Sequence, residues 1–499
     1  MKNRSDTDLD ELAYMSATEL AGKVKRKEIS PTEVVEYFIK RIGQRNPSIN
    51  AMVYMNEEHA LQEAKKLEAK LAAGSPVGVF AGVPTALKDF LPGKPGWHGT
   101  CGGIRALSGS DTAYSNYCFY MEKAGAIMLG KTNSPSMAYR GTCDNYLFGP
   151  TSTPFHPGYN SGGSSGGAAA AVADGLLPIA EGTDGGGSIR IPAAWCGCYG
   201  YKASVGTIPS LARPNAFCES HPYTFDGVIT RTVADSALVL SQMARYDPRD
   251  PLSVDYHDRD FMGALAGSVK GWKIGFTPNF GVFPVVHEIA QIVEKAALRF
   301  RVAGAIVEEV KFDFPRSALE MADAWSEMIN INSVLSLQMQ REQGIDLLGK
   351  ERGDIPPELA DAIDHACRCT LNDYVRWEVI RTEIYDQLQA AFESYDLLLS
   401  PTLCCNPPLN TGDGNTLGPK SINGIPINRL IGYCQTFFTN FTGHPSASIP
   451  AGLSAEGFPI GMQLIGKRFR DVDVLSASAV FEQIQPWSSL YTIPAGRAL

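Results

Sequence analysis

The sequence predicts an α/β fold: one large domain whose mixed, twisted β-sheet core is covered by helices on both faces. Three observations carry this. Capped helical stretches alternate with short apolar strands along the chain. Trp272, Ile274 and Phe276 alternate as a strand, and Ile289, Ile292, Val293, Ala296 and Phe300 form a helical stripe ended by Gly304. Ile306 to Val310 is a further strand, which completes a βαβ unit. Finally, an apolar share of 44% and a charged share of 19% over 499 residues are those of a soluble globular enzyme with a sizeable core.

In chain order, the first 75 residues read as helical. Ser16-Ala17-Thr18-Glu19 is a capping box, and Ser30-Pro31-Thr32-Glu33 is a second with proline at the first helical position. A strand from Ala51 to Tyr54 and a helix to about Ala73 follow, before Gly74-Ser75-Pro76. The segment Phe80 to Asp89 is apolar and strand-like, yet it holds Lys88, a residue type seldom fully buried unless paired. Leu91 to Gly99 is a Pro/Gly-rich loop. Gly125 to Thr132 matches the phosphate-loop pattern letter for letter. Its middle residues Ile127, Met128 and Leu129 are themselves a strand where a flexible loop is needed, which argues against nucleotide binding.

The centre of the chain is Ser161-Gly162-Gly163-Ser164-Ser165-Gly166-Gly167, followed by Gly182-Thr183-Asp184-Gly185-Gly186-Gly187-Ser188-Ile189-Arg190-Ile191-Pro192. Between these loops lie an alanine-rich run, Ala168 to Ala173, and an apolar run, Leu176 to Ala180, read as helix and strand. Glycine lets the backbone come close to a ligand, and a helix start directs unpaired N–H groups at whatever lies in front of it. A serine ending such a loop is placed to attack a carbonyl while those N–H groups receive the oxyanion. Further on, residues 316–395 read as helical and irregular, Leu397 to Leu399 as a buried strand, and Cys404 to Pro426 as a loop.

These loops resemble the signature region of the amidase signature family, serine hydrolases built on a Ser–Ser–Lys triad. Lys88, in Gly82-Val83-Pro84…Lys88-Asp89, falls with Ser164 and Ser188 in the family's order and at similar spacing. Cys196 to Ser204 is similar to the family's following segment, with departures at Ala203 and Ser204, and Gly443-His444-Pro445 and Gly457 to Gly466 are similar again. The resemblance spans roughly residues 15–310 and 396–485. It implies Ser188 as nucleophile, Lys88 as base if neutral, and Ser164 as the bridge between them, preceded by a cis peptide. The N–H groups of Gly185, Gly186, Gly187 and Ser188 are the expected oxyanion donors, and Ser165, Thr183, Asp184 and Arg190 are expected to support the loops.

The corresponding division is a helical segment over 1–75, a catalytic core over 76–310, a helical substrate-entrance region over 311–395, and the rest of the core over 396–499. The substrate expected is a small-molecule amide or carbamate, with no metal or organic cofactor; aryl or aliphatic amides, carbamates and oligoamides all fit, since each presents an acyl–nitrogen bond. A net charge of −9 without a basic block predicts neither nucleic acid nor membrane as partner; a homo-oligomer is compatible. Met1 to Asp6 has no apolar stretch behind it, and eleven scattered cysteines without C-x-x-C spacing read as reduced thiols, so a cytoplasmic protein is expected. Three alternatives stand beside this reading. One is an α/β-hydrolase-type esterase using Ser164 or Ser165 of G-x-S-x-G with His444. The others are a non-catalytic binding protein and an amidotransferase subunit on the same fold.

Overall fold

The computed structural model describes residues 11–90, 92–255 and 260–497; Met1 to Asp6, and Leu91 of the Pro/Gly-rich loop, lie outside them. Helices α1 (Ala17–Lys25) and α2 (Pro31–Arg45) start at the two capping boxes, where Ser16 and Ser30 accept from the N–H of Glu19 and Glu33. Next come β1 (Met52–Met55), α3 (Glu57–Ala72), β2 (Pro84–Lys88) and the short pair β3 (His98–Gly99) and β4 (Gly109–Ser110). Helix α4 (Asn116–Lys123) and β5 (Ile127–Thr132) follow. Strand β5 pairs antiparallel with β1 and parallel with β2, so a small three-stranded sheet carries Lys88 at the end of an edge strand.

The middle of the chain runs α5 (Gly166–Ala173), β6 (Ile179–Asp184), α6 (Arg190–Trp195), β7 (Tyr199–Lys202), β8 (Phe225–Thr230) and α7 (Val233–Met243). Then come β9 (Lys273–Phe276), α8 (His287–Leu298), β10 (Ile306–Glu309) and three helices, α9 (Ala318–Glu342), α10 (Pro357–Ala366) and α11 (Leu371–Phe392). The chain closes with β11 (Leu397–Pro401), the short hairpin β12 (Ser421–Ile422) and β13 (Ile425–Pro426), α12 (Phe438–Thr442), β14 (Ser446–Leu453), β15 (Pro459–Gly466) and α13 (Asp471–Ile484).

Eight strands form the main sheet in the order β10-β9-β11-β15-β14-β7-β8-β6. It is mixed: β9 is parallel to both β10 and β11, and the other pairs are antiparallel. The expected βαβ unit is β9-α8-β10, and its helical segment ends at Gly304 in a left-handed conformation. Successive strand residues point to opposite faces, and both faces are covered. Leu397 and Leu399 pack with residues of α7, α8 and α13, whereas Leu398 between them packs with α9, α11 and α12. Helices α1 to α3 pack around α5, whose six consecutive small side chains, Ala168 to Ala173, are all fully or almost fully buried.

Two boundaries differ from expectation. The strand expected over Leu176 to Ala180 begins at Ile179 and runs on through Gly182, Thr183 and Asp184, residues read as loop. Antiparallel pairing with β8 draws them into the ladder, Thr183 opposite Asp226 and Asp184 opposite Phe225, while the Leu176 and Leu177 N–H groups close the end of α5 on Ala171. The loop from Cys404 to Pro426 contains the β12–β13 hairpin. The phosphate-loop lookalike is strand β5, and Lys131 within it is 1% exposed with its Nζ 2.7 Å from Asp111. Among the described residues no helix is long and apolar enough to cross a membrane.

Candidate active site

Strand β2 brings Lys88 in from the small sheet, the turn before α5 brings Ser164 and Ser165, and the end of β6 brings Thr183 and Asp184. Lys88, 2% exposed, places Nζ 2.6 Å from Ser164 Oγ and 2.8 Å from Thr183 Oγ1. Burial lowers its ammonium to about 7, against the opposing influence of Cys143, Glu181, Asp184 and Asp226. The Gly163–Ser164 peptide is cis. Ser165 makes different contacts: its hydroxyl donates to the Thr183 carbonyl at 3.3 Å and accepts the Thr183 N–H at 3.2 Å, and its own N–H donates to Ser188 O.

Ser188 is half-buried and lines the same cavity as Ser164 and Thr183. Its Oγ has no hydrogen-bond partner among the described residues, so the structure joins Lys88 to Ser164 but does not bond Ser164 to Ser188. The loop before it is glycine for a steric reason. Gly187 has φ +125°, and a Cβ there would lie 2.0 Å from Thr436 Oγ1. Trp325 Nε1 donates to Gly185 O at 3.0 Å and Thr436 Oγ1 to Gly186 O at 2.6 Å, so both carbonyls are tied back. The N–H groups of the four expected oxyanion donors are not alike in the structure. Gly187 N–H is taken by Asp184 Oδ1 at 2.8 Å, whereas the N–H groups of Gly185, Gly186 and Ser188 find no acceptor among the described residues.

Asp184 and Arg190 form a fully buried ion pair beneath this loop, with Arg190 Nε and one terminal nitrogen on the two carboxylate oxygens at 3.0 and 2.9 Å. Burial alone would raise the Asp184 carboxyl, but the charge and hydrogen bonds of Arg190 outweigh it and hold it at about 2. Arg190 also donates to Thr439 Oγ1, Gln463 Oε1 and Asn440 Oδ1, each at 2.7 Å, which fastens α6 to α12 and β15. Arg190→Ala would leave the carboxylate buried without its cation, a loss of about 3–5 kcal/mol; a urea titration should show that drop.

His444 is not part of this cluster. Its ring nitrogens meet Thr442 Oγ1 at 2.7 Å and Gln389 Oε1 at 2.9 Å, and burial lowers its pKa to about 3. The esterase alternative, which pairs His444 with Ser164 or Ser165, has no geometric support.

The cavity in front of Ser188 measures about 400 Å³, within the range of small-molecule sites. Phe90, Met137, Tyr139, Trp325, Ile329 and Leu359 supply apolar and aromatic wall, and Glu219 and Asp226 add carboxyl groups. Burial raises the Glu219 carboxyl to about 7 and that of Asp226 above its ordinary value. Glu181, Asn440 and Trp325 were not singled out from the sequence. Glu181 carried a readable signal, a carboxylate directly at the end of an apolar strand run; Asn440 and Trp325 matter only through partners more than a hundred residues away.

An α/β core with a buried lysine bonded to a serine, facing a glycine-rich loop and a second serine, defines the class of serine hydrolases. Within that class the chain belongs to the amidase family, whose model matches residues 33–475. It is 36% identical to an acylamidase of Rhodococcus erythropolis over 96% of this chain and 97% of that one. It is 35% identical to a glutamyl-tRNA(Gln) amidotransferase subunit of Moorella thermoacetica, over 95% and 97% of the two chains. Among solved structures, a bacterial aryl acylamidase of the amidase signature family superposes with a TM-score of 0.95 at 50% identity, covering 98% of this chain and all of the other.

Proposed function

We propose that this amidase-family hydrolase cleaves compact aryl or aliphatic amides, with carbamates as further candidates, through an acyl-enzyme on Ser188. The observation that carries the proposal is Lys88 Nζ, buried and 2.6 Å from the Oγ of Ser164, which lines the same cavity as Ser188. Neutral Lys88 takes the Ser164 proton as Ser164 takes that of Ser188, whose Oγ adds to the acyl carbon. The N–H groups of Gly185, Gly186 and Ser188 receive the oxyanion; one such donor is worth about 2.7–4 kcal/mol. Ser164 then gives its proton to the departing nitrogen and recovers one from Lys88, the C–N bond breaks, and water releases the acid by the same relay. Ser165, Thr183, Asp184 and Arg190 support this arrangement through the bonds described above. Residues 311–395 form the substrate entrance in this reading, supported by Trp325, Ile329 and Leu359 at the cavity wall.

The test is fluorophosphonate labelling with the adduct located by peptide mass spectrometry, followed by a screen of anilides and carbamates. Label on Ser188 is expected; label confined to Ser164 or Ser165 would overturn the assignment. Lys88 acts as a base only when neutral, so kcat/KM should rise with pH through about 7 and level off above it. A pH–rate profile on an anilide checks this. The amidotransferase relative motivates a second reading, in which the chain serves as one subunit of a larger enzyme. Hydrolysis by the purified chain alone favours the first reading, and activity only with a co-purifying partner favours the second.

A further inference from the structure

Glu181 stands in β6 two residues before Thr183, and is 6% exposed. Residues two apart in a strand share a face, and these two hold the same lysine from both ends. Glu181 Oε2 accepts the backbone N–H of Lys88 at 2.7 Å, while Thr183 Oγ1 meets its Nζ at 2.8 Å. The other oxygen, Oε1, accepts the Ser115 hydroxyl at 2.8 Å, and Ser115 is itself the cap of α4, accepting the Cys118 N–H. The carboxyl group therefore joins the end of β2, the start of α4 and the edge strand of the main sheet.

We propose that Glu181 is a positioning residue for Lys88, clamping the two sheets together so that the lysine head reaches Ser164 and Thr183 while the carboxylate faces the same lysine. This rests on reading Lys88 as the proton acceptor. Supporting the electrostatic half, burial raises the Glu181 carboxyl to about 7, so it titrates over the same range as Lys88. The other groups acting on the lysine are Cys143, Asp184 and Asp226, and Cys101 also faces it. Those facing Glu181 are Asp226 from β8 and Tyr117 and Cys118 from α4. Negative charge at Glu181 favours the ammonium form of Lys88; removing it lets the lysine become neutral at lower pH.

Two substitutions separate charge from reach. Glu181→Gln keeps an acceptor for the Lys88 N–H and loses the charge, so the acid limb of kcat/KM should move to lower pH by a measurable fraction of a unit. Glu181→Asp keeps the charge but shortens the reach, so plateau kcat should fall about tenfold or more with the limb held near that of the unaltered protein. Lys88→Ala, measured in parallel, should lose about 10³-fold in kcat. A folded Glu181→Gln protein whose limb does not move, beside a Lys88→Ala protein with that loss, would overturn the role of Glu181 alone. A Lys88→Ala protein that keeps most of its activity would overturn both readings.

Discussion

Replacing Ser188 with alanine should abolish the fluorophosphonate adduct and lower kcat on an anilide by about 10⁵-fold or more, close to 7 kcal/mol of transition-state stabilisation. The effect is expected to be this large because no other hydroxyl in the cluster is free to substitute. Ser164 Oγ is held by Lys88 at 2.6 Å, and Ser165 Oγ sits between the N–H and carbonyl of Thr183. The fold should survive the change. Ser188 Oγ has no hydrogen bond among the described residues, and the loop is fastened through Gly185 O, Gly186 O and the Asp184–Arg190 pair instead. The measurement is therefore a pair: an unshifted thermal melt and a lost adduct. A protein that melts normally and still carries the label on another serine would remove Ser188 from the reaction.

What could be read from the sequence follows the range of the interactions concerned. Lys88, Ser164 and Ser188 stand in short local patterns of strand, glycine-rich turn and helix start, but it is the family resemblance, rather than those patterns alone, that singled them out. The βαβ unit was legible from its own residues, since a period of two beside a helical stripe is a local signal. Long-range pairing was not legible. Gly182, Thr183 and Asp184 read as loop because glycine and polar residues disfavour strands, yet β8 supplies the ladder that makes them one. The bond from the Gly187 N–H to Asp184 spans only three residues, yet the glycine-rich pattern gave no sign of it. Trp325 lies 140 residues from the carbonyl it bonds, in a stretch with no recognisable pattern. Glu181 lies between these cases: a charged residue ending an apolar run marks something unusual, but only the packing of β2 against β6 shows that its partner is Lys88.

Lys88→Ala should reduce kcat about 10³-fold, within the range for loss of a general base, and its pH profile should lose the limb near 7. Both outcomes follow from one physical circumstance. Enclosed between β2, β6 and the turn at Ser164, the lysine lacks the water that would stabilise its charge, so it is available as a neutral base near physiological pH. Its removal leaves Ser164 and Thr183 hydroxyls facing a void, with no other group in hydrogen-bond reach of Ser164 Oγ among the described residues to take the proton. His444→Ala provides the contrast. That imidazole bonds Thr442 and Gln389 and stacks on Phe392 at 5.2 Å between ring centroids, so its loss should lower the melting temperature while the folded protein still labels at Ser188. If the histidine variant were the dead one and the lysine variant retained most activity, the proton path would have to run through β14's flank rather than through β2. Nothing in the bonding of His444 provides such a path: both ring nitrogens are occupied by neutral side chains, and burial keeps the ring uncharged down to a pKa of about 3.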